Sequence, residues 1–240
     1  MAQSNIAQRV ASAPTANAAA QGGDPLVFTC SRPEQPCLRR TLIKGAERLA
    51  GRARLARVYR HWVATRDYGE TTFSGETLFA AGLRLLDVRA DIPVRHVAHI
   101  PREGGLLILA NHPFGIIDGL LLGDLVQRLR GDVRIITHSL LCQPPEAGDV
   151  LLPVDFGPGP EARQMSIETR RRAQGWLSAG HAVVIFQAGA VVTSVQPWSG
   201  PAVDAEWNPF ITRLAALPGV ATVPVFLHGQ NSRLFQIASH

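Results

Sequence analysis

The 240-residue chain is predicted to be an α/β protein: a mainly parallel central sheet flanked by helices, preceded by an N-terminal basic helical segment. Three observations predict it. Beyond Arg89, short apolar runs alternate with helical stretches, the pattern of strands buried on both faces and joined by helical crossovers. Before Arg89, apolar residues recur at steps of three and four, as on one face of a helix. Finally, 46% hydrophobic residues in 240 suffice for one well-packed domain, while two full domains would be short of core.

The elements follow in order. Met1 to Gly23 is rich in Ala, Gln, Ser and Asn and lacks the continuous apolar core of a signal peptide, so residues 1–37 are expected to form a disordered tail. Residues 38–90 form the helical segment. In it Leu42, Ala46, Leu49, Ala53, Ala56 and Val63 mark an apolar stripe interspersed with Arg40, Lys44, Arg48, Arg52 and Arg60. Such a basic helix can lie on an anionic lipid surface, although the plainer reading is a helix packed on its own domain with a solvated basic face. A second helix is expected over Glu76 to Leu86.

The α/β domain occupies residues 91–240. Its strands are read at Leu106–Leu109, Val133–Ile136, Val150–Val154, Ala182–Phe186 and Ala221–Leu227, with an edge strand at Ile92–Ile100. Helices are expected at Gly119–Leu129, Glu161–Ser178 and Pro209–Leu217. In such sheets the loops leaving the carboxyl ends of the strands carry ligands. Three are unusual in composition: Asn111 to Gly119, Asp155 to Pro160, and Gln187 to Pro197.

Composition excludes several functions. All of the 24 basic side chains but Lys44 are Arg, and against 19 carboxylates they leave a formal charge of +5. That balance favours anionic partners without choosing among nucleic acid, membrane and phosphate-bearing substrates. The aromatics, 6% of residues, lie mostly within apolar runs and not among Arg on an exposed strand, so no nucleic-acid partner is expected. Cys30, Cys37 and Cys142 form no CxxC pair, which argues against a disulfide framework or structural zinc and suits a reducing cytosol. No run approaches the roughly 18 apolar residues of a membrane span, so any membrane contact is expected to be peripheral.

Local motifs are equally selective. Gly157-Pro158-Gly159-Pro160-Glu161-Ala162 imitates a dinucleotide fingerprint, but its two prolines have no N–H to offer a pyrophosphate. His96 and His99 lack a third partner at metal-binding spacing, and no metal is expected. His138, His181 and His228 are read as structural. There is no GxSxG or HExxH, and Cys142 has no activating neighbour in sequence.

The sharpest cluster is Asn111-His112-Pro113-Phe114-Gly115-Ile116-Ile117-Asp118-Gly119, between a buried strand and an apolar helix. Imidazole alone, with an unperturbed pKa of about 6.5, accepts and returns a proton near neutrality, and a carboxylate can fix its tautomer. The plainer reading is a turn with Asp118 capping the helix.

Residues 111–119 resemble the first motif of the lysophospholipid and glycerophosphate acyltransferase superfamily, closest to the bacterial branch labelled hemolysin. The similarity runs from about residue 40 to 240, in separated blocks. Leu151-Leu152-Pro153-Val154-Asp155-Phe156 resembles the second block, followed by the basic run Arg170, Arg171 and Arg172. Val184-Ile185-Phe186-Gln187-Ala188-Gly189 resembles the third. Asp204, Trp207, Pro209 and Phe210 resemble a further signature. Val223-Pro224-Val225-Phe226 and Gly229-Gln230-Asn231-Ser232-Arg233-Leu234-Phe235 resemble the fourth and its extension.

The resemblance implies an O-acyltransferase that moves an acyl chain from acyl-CoA or acyl-carrier protein, as co-substrate and without a bound cofactor, to a hydroxyl of a lyso-lipid. It implies His112 as general base and Asp118 as its partner. Asn111, Pro113, Phe114, Gly115, Val154, Asp155, Phe186, Gln187, Ala188 and Gly189 would contact substrate, with the Gly189 turn a candidate for holding the oxyanion. The place would be the inner face of the cytoplasmic membrane, met peripherally through its anionic surface.

Two departures stand out. Five residues separate His112 from Asp118, one more than in most superfamily members, as is usual in the hemolysin-labelled branch. Within one continuous helix that spacing would not let them face each other, so Pro113 to Ile117 must turn. Gln187 and Ala188 stand where Pro and Glu are usual, and Ala188 supplies no carboxylate. The alternative is a catalytically inactive lipid- or membrane-binding protein on the same fold.

Overall fold

The computed structural model describes residues 77–142, 148, 150–196 and 198–238. The expected tail and the basic helix from Leu38 lie outside them. Chain order runs α1 (Leu78–Leu85), α2 (Val94–Val97), β1 (Gly105–Ala110), α3 (Ile116–Arg130), β2 (Val133–His138), a 3-10 turn (Ser139–Cys142), β3 (Leu151–Val154), α4 (Pro160–Ser178), β4 (Ala182–Phe186), β5 (Thr193–Gln196), β6 (Ser199–Val203), α5 (Phe210–Ala215), β7 (Val220–Val225) and α6 (Arg233–Ala238).

Five strands form one parallel sheet in the order β3-β2-β4-β1-β7. The neighbours β4 and β1 are buried along their whole length, which is why their sequences are unbroken apolar runs. The edge strands β3 and β7 carry Pro153 and Pro224, residues a sheet tolerates where a ladder N–H is dispensable.

Side chains alternate between two cores. Leu106, Ile108 and Ala110 join Phe79 of α1 and Leu122 and Val126 of α3 on one face. Leu107 and Leu109 join Ala173 and Leu177 of α4 and Phe210, Ile211 and Leu214 of α5 on the other. The α/β architecture with a parallel sheet and flanking helices is thus the predicted one. Helix α1 begins where Thr77 Oγ1 accepts the Ala80 amide at 3.1 Å, and α4 begins with Pro160 in its first turn, which gives the Gly-Pro-Gly-Pro stretch a structural role.

One expected strand is absent. Around Pro93, whose φ of −58° suits a helix start, residues 94–97 close a short helix, with His96 N–H on Pro93 O and Ala98 N–H on Val94 O. Val94 is 84% exposed, so the apolar residues that suggested an edge strand have no sheet to cover them.

Candidate active site

Three loops converge at the carboxyl ends of β1, β3 and β4. The first carries His112, two residues past β1. Its ring stacks on Phe186, the last residue of β4, with centroids 4.0 Å apart and planes 26° from parallel. Phe156, from the loop after β3, lies against Gly189 after β4. Because β4 and β1 are adjacent and Ala110 pairs with Phe186, the sheet itself brings His112, just beyond β1, against the last residue of β4.

Asp118 is fully buried in the first turn of α3, where the helix dipole favours a carboxylate. Its Oδ2 accepts the Phe114 N–H at 2.8 Å and stands 3.0 Å from His112 Nδ1. The ring nitrogen and carboxylate are at ion-pair distance but are not aligned as a hydrogen bond, and Asp118 Oδ1 is buried without a donor among the described residues. Such contacts in ligand-free sites commonly tighten once substrate is bound. The turn is possible because Gly115 adopts φ 68° and ψ −122°, folding residues 113–115 back so that five intervening residues still bring the two side chains together.

The loop is anchored from outside. Asn111 uses both ends of its amide on Leu227, Nδ2 to the carbonyl at 2.9 Å and Oδ1 from the N–H at 2.7 Å. Asn231 Nδ2 donates to Pro113 O at 2.8 Å, and Val192 N–H donates to His112 O at 3.0 Å. Asp204 follows Val203, the partner of Thr193 in the β5–β6 ladder. Burial pushes its carboxyl above the usual range, and the backbone N–H and ring of His112 only partly offset that.

A cavity of about 680 Å³ opens beside the imidazole. Leu78, Phe79, Gly82, Leu85 and Leu86 of α1, with Ile116 and Leu120 of α3, form its apolar side. Arg163, Ser166 and Arg170, at helical steps along α4, form a polar and cationic side. A chamber with one apolar and one basic wall suits an amphiphile.

Of the residues expected at the site, His112, Gly115, Val154, Asp155, Phe186, Gln187, Ala188 and Gly189 line this cavity. Asp118 sits behind His112. Asn111, Pro113 and Phe114 are not in the lining, since the first two hold the 226–231 segment and Phe114 packs on Gly229. Asp155 spends Oδ1 on the Gly157 N–H at 2.8 Å, and Gly189 N–H is taken by Phe186 O at 3.1 Å, so that amide serves the turn and not an oxyanion. Of the basic triplet, Arg170 reaches the cavity, its guanidinium 5.1 Å over the Phe210 ring.

Other chemistry finds little support. Burial pushes the Cys142 thiol up to about 11, against a smaller lowering by Arg172, which leaves it a poor nucleophile. His138 Nδ1 accepts the Leu140 N–H at 3.2 Å, and His228 sits edge-on to Phe226. Among the described residues no group of three His, Cys, Asp or Glu side chains is placed to hold a metal, and no helix is long and apolar enough to cross a membrane.

A family model described as acyltransferase matches residues 91–240. The chain belongs to this acyltransferase family. A relative from Phocaeicola vulgatus, a lyso-glycine lipid O-acyltransferase, is 24% identical over 162 residues, 67% of this chain and 54% of its own length. The chain therefore spans about half of the curated relative it matches. No solved structure shows a significant match. In this family member α1 precedes the matched region, yet it supplies one wall of the cavity.

Proposed function

We propose that the chain transfers an acyl group from acyl-CoA or acyl-carrier protein to a hydroxyl of a lyso-lipid, with His112 as general base and Asp118 as its partner. The observation that carries the reading is the His112 imidazole, stacked on Phe186, 3.0 Å from a fully buried carboxylate and open to an amphipathic cavity. With Nδ1 turned to Asp118, Nε2 takes the proton of the acceptor hydroxyl as its oxygen attacks the thioester carbonyl. The tetrahedral adduct collapses, the C–S bond breaks, and the departing thiolate takes the proton from the imidazolium. The products are an ester and a free thiol, and no acyl-enzyme is needed.

Asp118 stabilises the imidazolium through that cycle, while general-base assistance contributes roughly a hundred- to ten-thousand-fold. The apolar wall receives an acyl chain, and Arg163 and Arg170 face the anionic part of a substrate. The relative's name points to an amino-acid lipid as one acceptor to try beside lysophospholipids. A cytosolic donor such as acyl-CoA or acyl-carrier protein suits a peripheral seat at the inner face of the cytoplasmic membrane.

The test is radiolabelled acyl-CoA or acyl-carrier protein offered with lyso-glycine lipid and a lysophospholipid panel. Wild-type turnover is expected, reduced at least a hundredfold in His112→Ala. Lipid binding without turnover for any donor would instead favour the non-catalytic alternative.

A further inference from the structure

We infer that the β5–β6 hairpin and α6 form a docking surface for an anionic lipid bilayer beside the cavity. The inference rests on the lipid acceptor of the proposed reaction. Its ground is a reversed polarity in both elements. In α6 the buried side chain is Gln236, while Leu234 is 80% exposed and Ile237, three residues on along the same face, is exposed as well. In the hairpin Ser194 is buried, whereas Val195, Val203 and, between the strands, Trp198 are exposed, Trp198 to 73%. Helices and hairpins that face water carry the opposite pattern, apolar side inward.

The two elements are joined through their polar sides. Gln236 Oε1 accepts the Ser194 N–H at 2.8 Å, and Arg233 Nη1 donates to Ser194 Oγ at 3.3 Å. Gln230 Oε1 accepts the Ala202 N–H at 2.8 Å, which ties the second strand as well. The hydrogen-bonding groups are spent inward, and the apolar side chains are left on the outside of one tied unit. Exposed apolar clusters of this kind mark interaction surfaces.

Two observations favour a bilayer over a protein partner. The first is continuity with the cavity that a lipid must enter. Residues 188–191 line it, and β5 starts at Thr193, two residues later. The Phe156 ring, cavity-lining and exposed, lies against Gly189 at the start of that segment. The second is charge. The hairpin and α6 contain no carboxylate, and their one ionised side chain is Arg233, exposed at the start of α6. An apolar surface with a cation at its edge matches acyl chains lying beneath anionic headgroups, and Trp is the side chain suited to that boundary.

The test uses the full chain and vesicles of phosphatidylethanolamine and phosphatidylglycerol, with and without phosphatidylcholine brominated along its acyl chains, a contact quencher of indole. Comparison with Trp198→Phe isolates one of the four tryptophans. Before lipid is added, acrylamide should quench the Trp198 emission freely. On brominated vesicles most of that emission should be lost. The double variant Val195→Ser, Ile237→Ser alters only exposed side chains, so it should melt with wild type while its vesicle partitioning falls roughly tenfold. Binding that leaves Trp198 unquenched would mean that another face meets the lipid. Shielding from acrylamide without lipid would mean that another segment of this chain, or a second copy, covers the surface. Either result overturns the inference, as does an absence of binding or unchanged partitioning in the double variant. The vesicles hold no acyl donor or lyso-lipid, so lack of turnover would sink the proposed reaction and leave the docking surface to be judged by quenching alone.

Discussion

At the scale of single residues, the site depends on one backbone angle. Gly115 holds φ 68° with ψ −122°, and a Cβ there would also approach Val191 Cγ2 to 3.3 Å. Residues with side chains occupy such conformations at a cost of about 1–3 kcal/mol. Gly115→Ala should therefore destabilise the protein by that amount in urea unfolding. If the loop relaxes to a normal angle instead, His112 leaves Asp118 and kcat falls roughly a hundredfold, as displaced catalytic groups do. A variant with both stability and kcat at wild-type values would show that the turn does not set the pair. The pairing of His112 with Asp118 around Gly115 was legible in the sequence because all three lie within residues 111–119, and the need for a turn between imidazole and carboxylate followed from their spacing alone. Arg163 and Ser166 were not singled out, and Arg170 entered only as part of a block that resembles the family, because their shared place on the cavity exists only once α4 is docked on the sheet. Asn111 was expected at the substrate, but its partner Leu227 lies 116 residues away.

At the scale of elements, the α1–α3 contact decides the shape of the apolar wall. The helices meet through small residues: a Cβ on Gly123 would lie 2.5 Å from Phe79 Cδ1, and one on Gly82 2.8 Å from Leu120 Cδ2. Gly123→Ala gains up to about 1 kcal/mol in helix propensity. It also forces the Phe79 ring to move in a packed core, which costs about 1–3 kcal/mol, so the net effect is destabilising. A fall of a few degrees in melting temperature is expected, recovered by adding Phe79→Leu, which frees the space. A double variant no more stable than Gly123→Ala would mean that the helices do not meet there. The parallel strands were readable to within a residue or two because buried strands must be continuously apolar. The β5–β6 hairpin was hidden for the opposite reason. Its sequence, with Pro197, Gly200 and Pro201, reads as loop, Val195 is 83% exposed, and its pairing is fixed from outside by Gln230 and Gln236. Helix α6 supplies Gln236 and was read only as a block of sequence.

At the scale of the whole molecule, the two ends of the sheet are built on different principles. The carboxyl end is an open site made of loops, whereas the amino end is knotted by Arg130, whose side chain is 2% exposed. Its guanidinium takes Asp132 through two 3.0 Å contacts and also donates to the carbonyls of Pro101, Gly104 and Gly180. His181 Nδ1 stands 3.1 Å from the same carboxylate, and Trp176 stacks on His181 while donating its Nε1–H to Asp132 O. One residue thus ties the end of α3 to the starts of β1, β2 and β4. Burial pushes the Asp132 carboxyl up, but Arg130 and His181 together outweigh it and hold it below 3.8. A carboxyl lowered on folding contributes stability above its unfolded value and loses it as pH falls through the folded one. The difference in unfolding free energy between wild type and Asp132→Asn should therefore be full at neutral pH and shrink as pH drops through and below 3.8. Its neutral-pH size should stay under the roughly 3–5 kcal/mol of a fully buried broken pair, because Asp132 is 20% exposed. Urea unfolding at stepped pH measures it, and a difference that stayed constant into acid would mean that Asp132 acts by shape and hydrogen bonding without its charge. Removing the knot should leave the pH dependence of catalysis untouched, since His112 lies at the other end of β1.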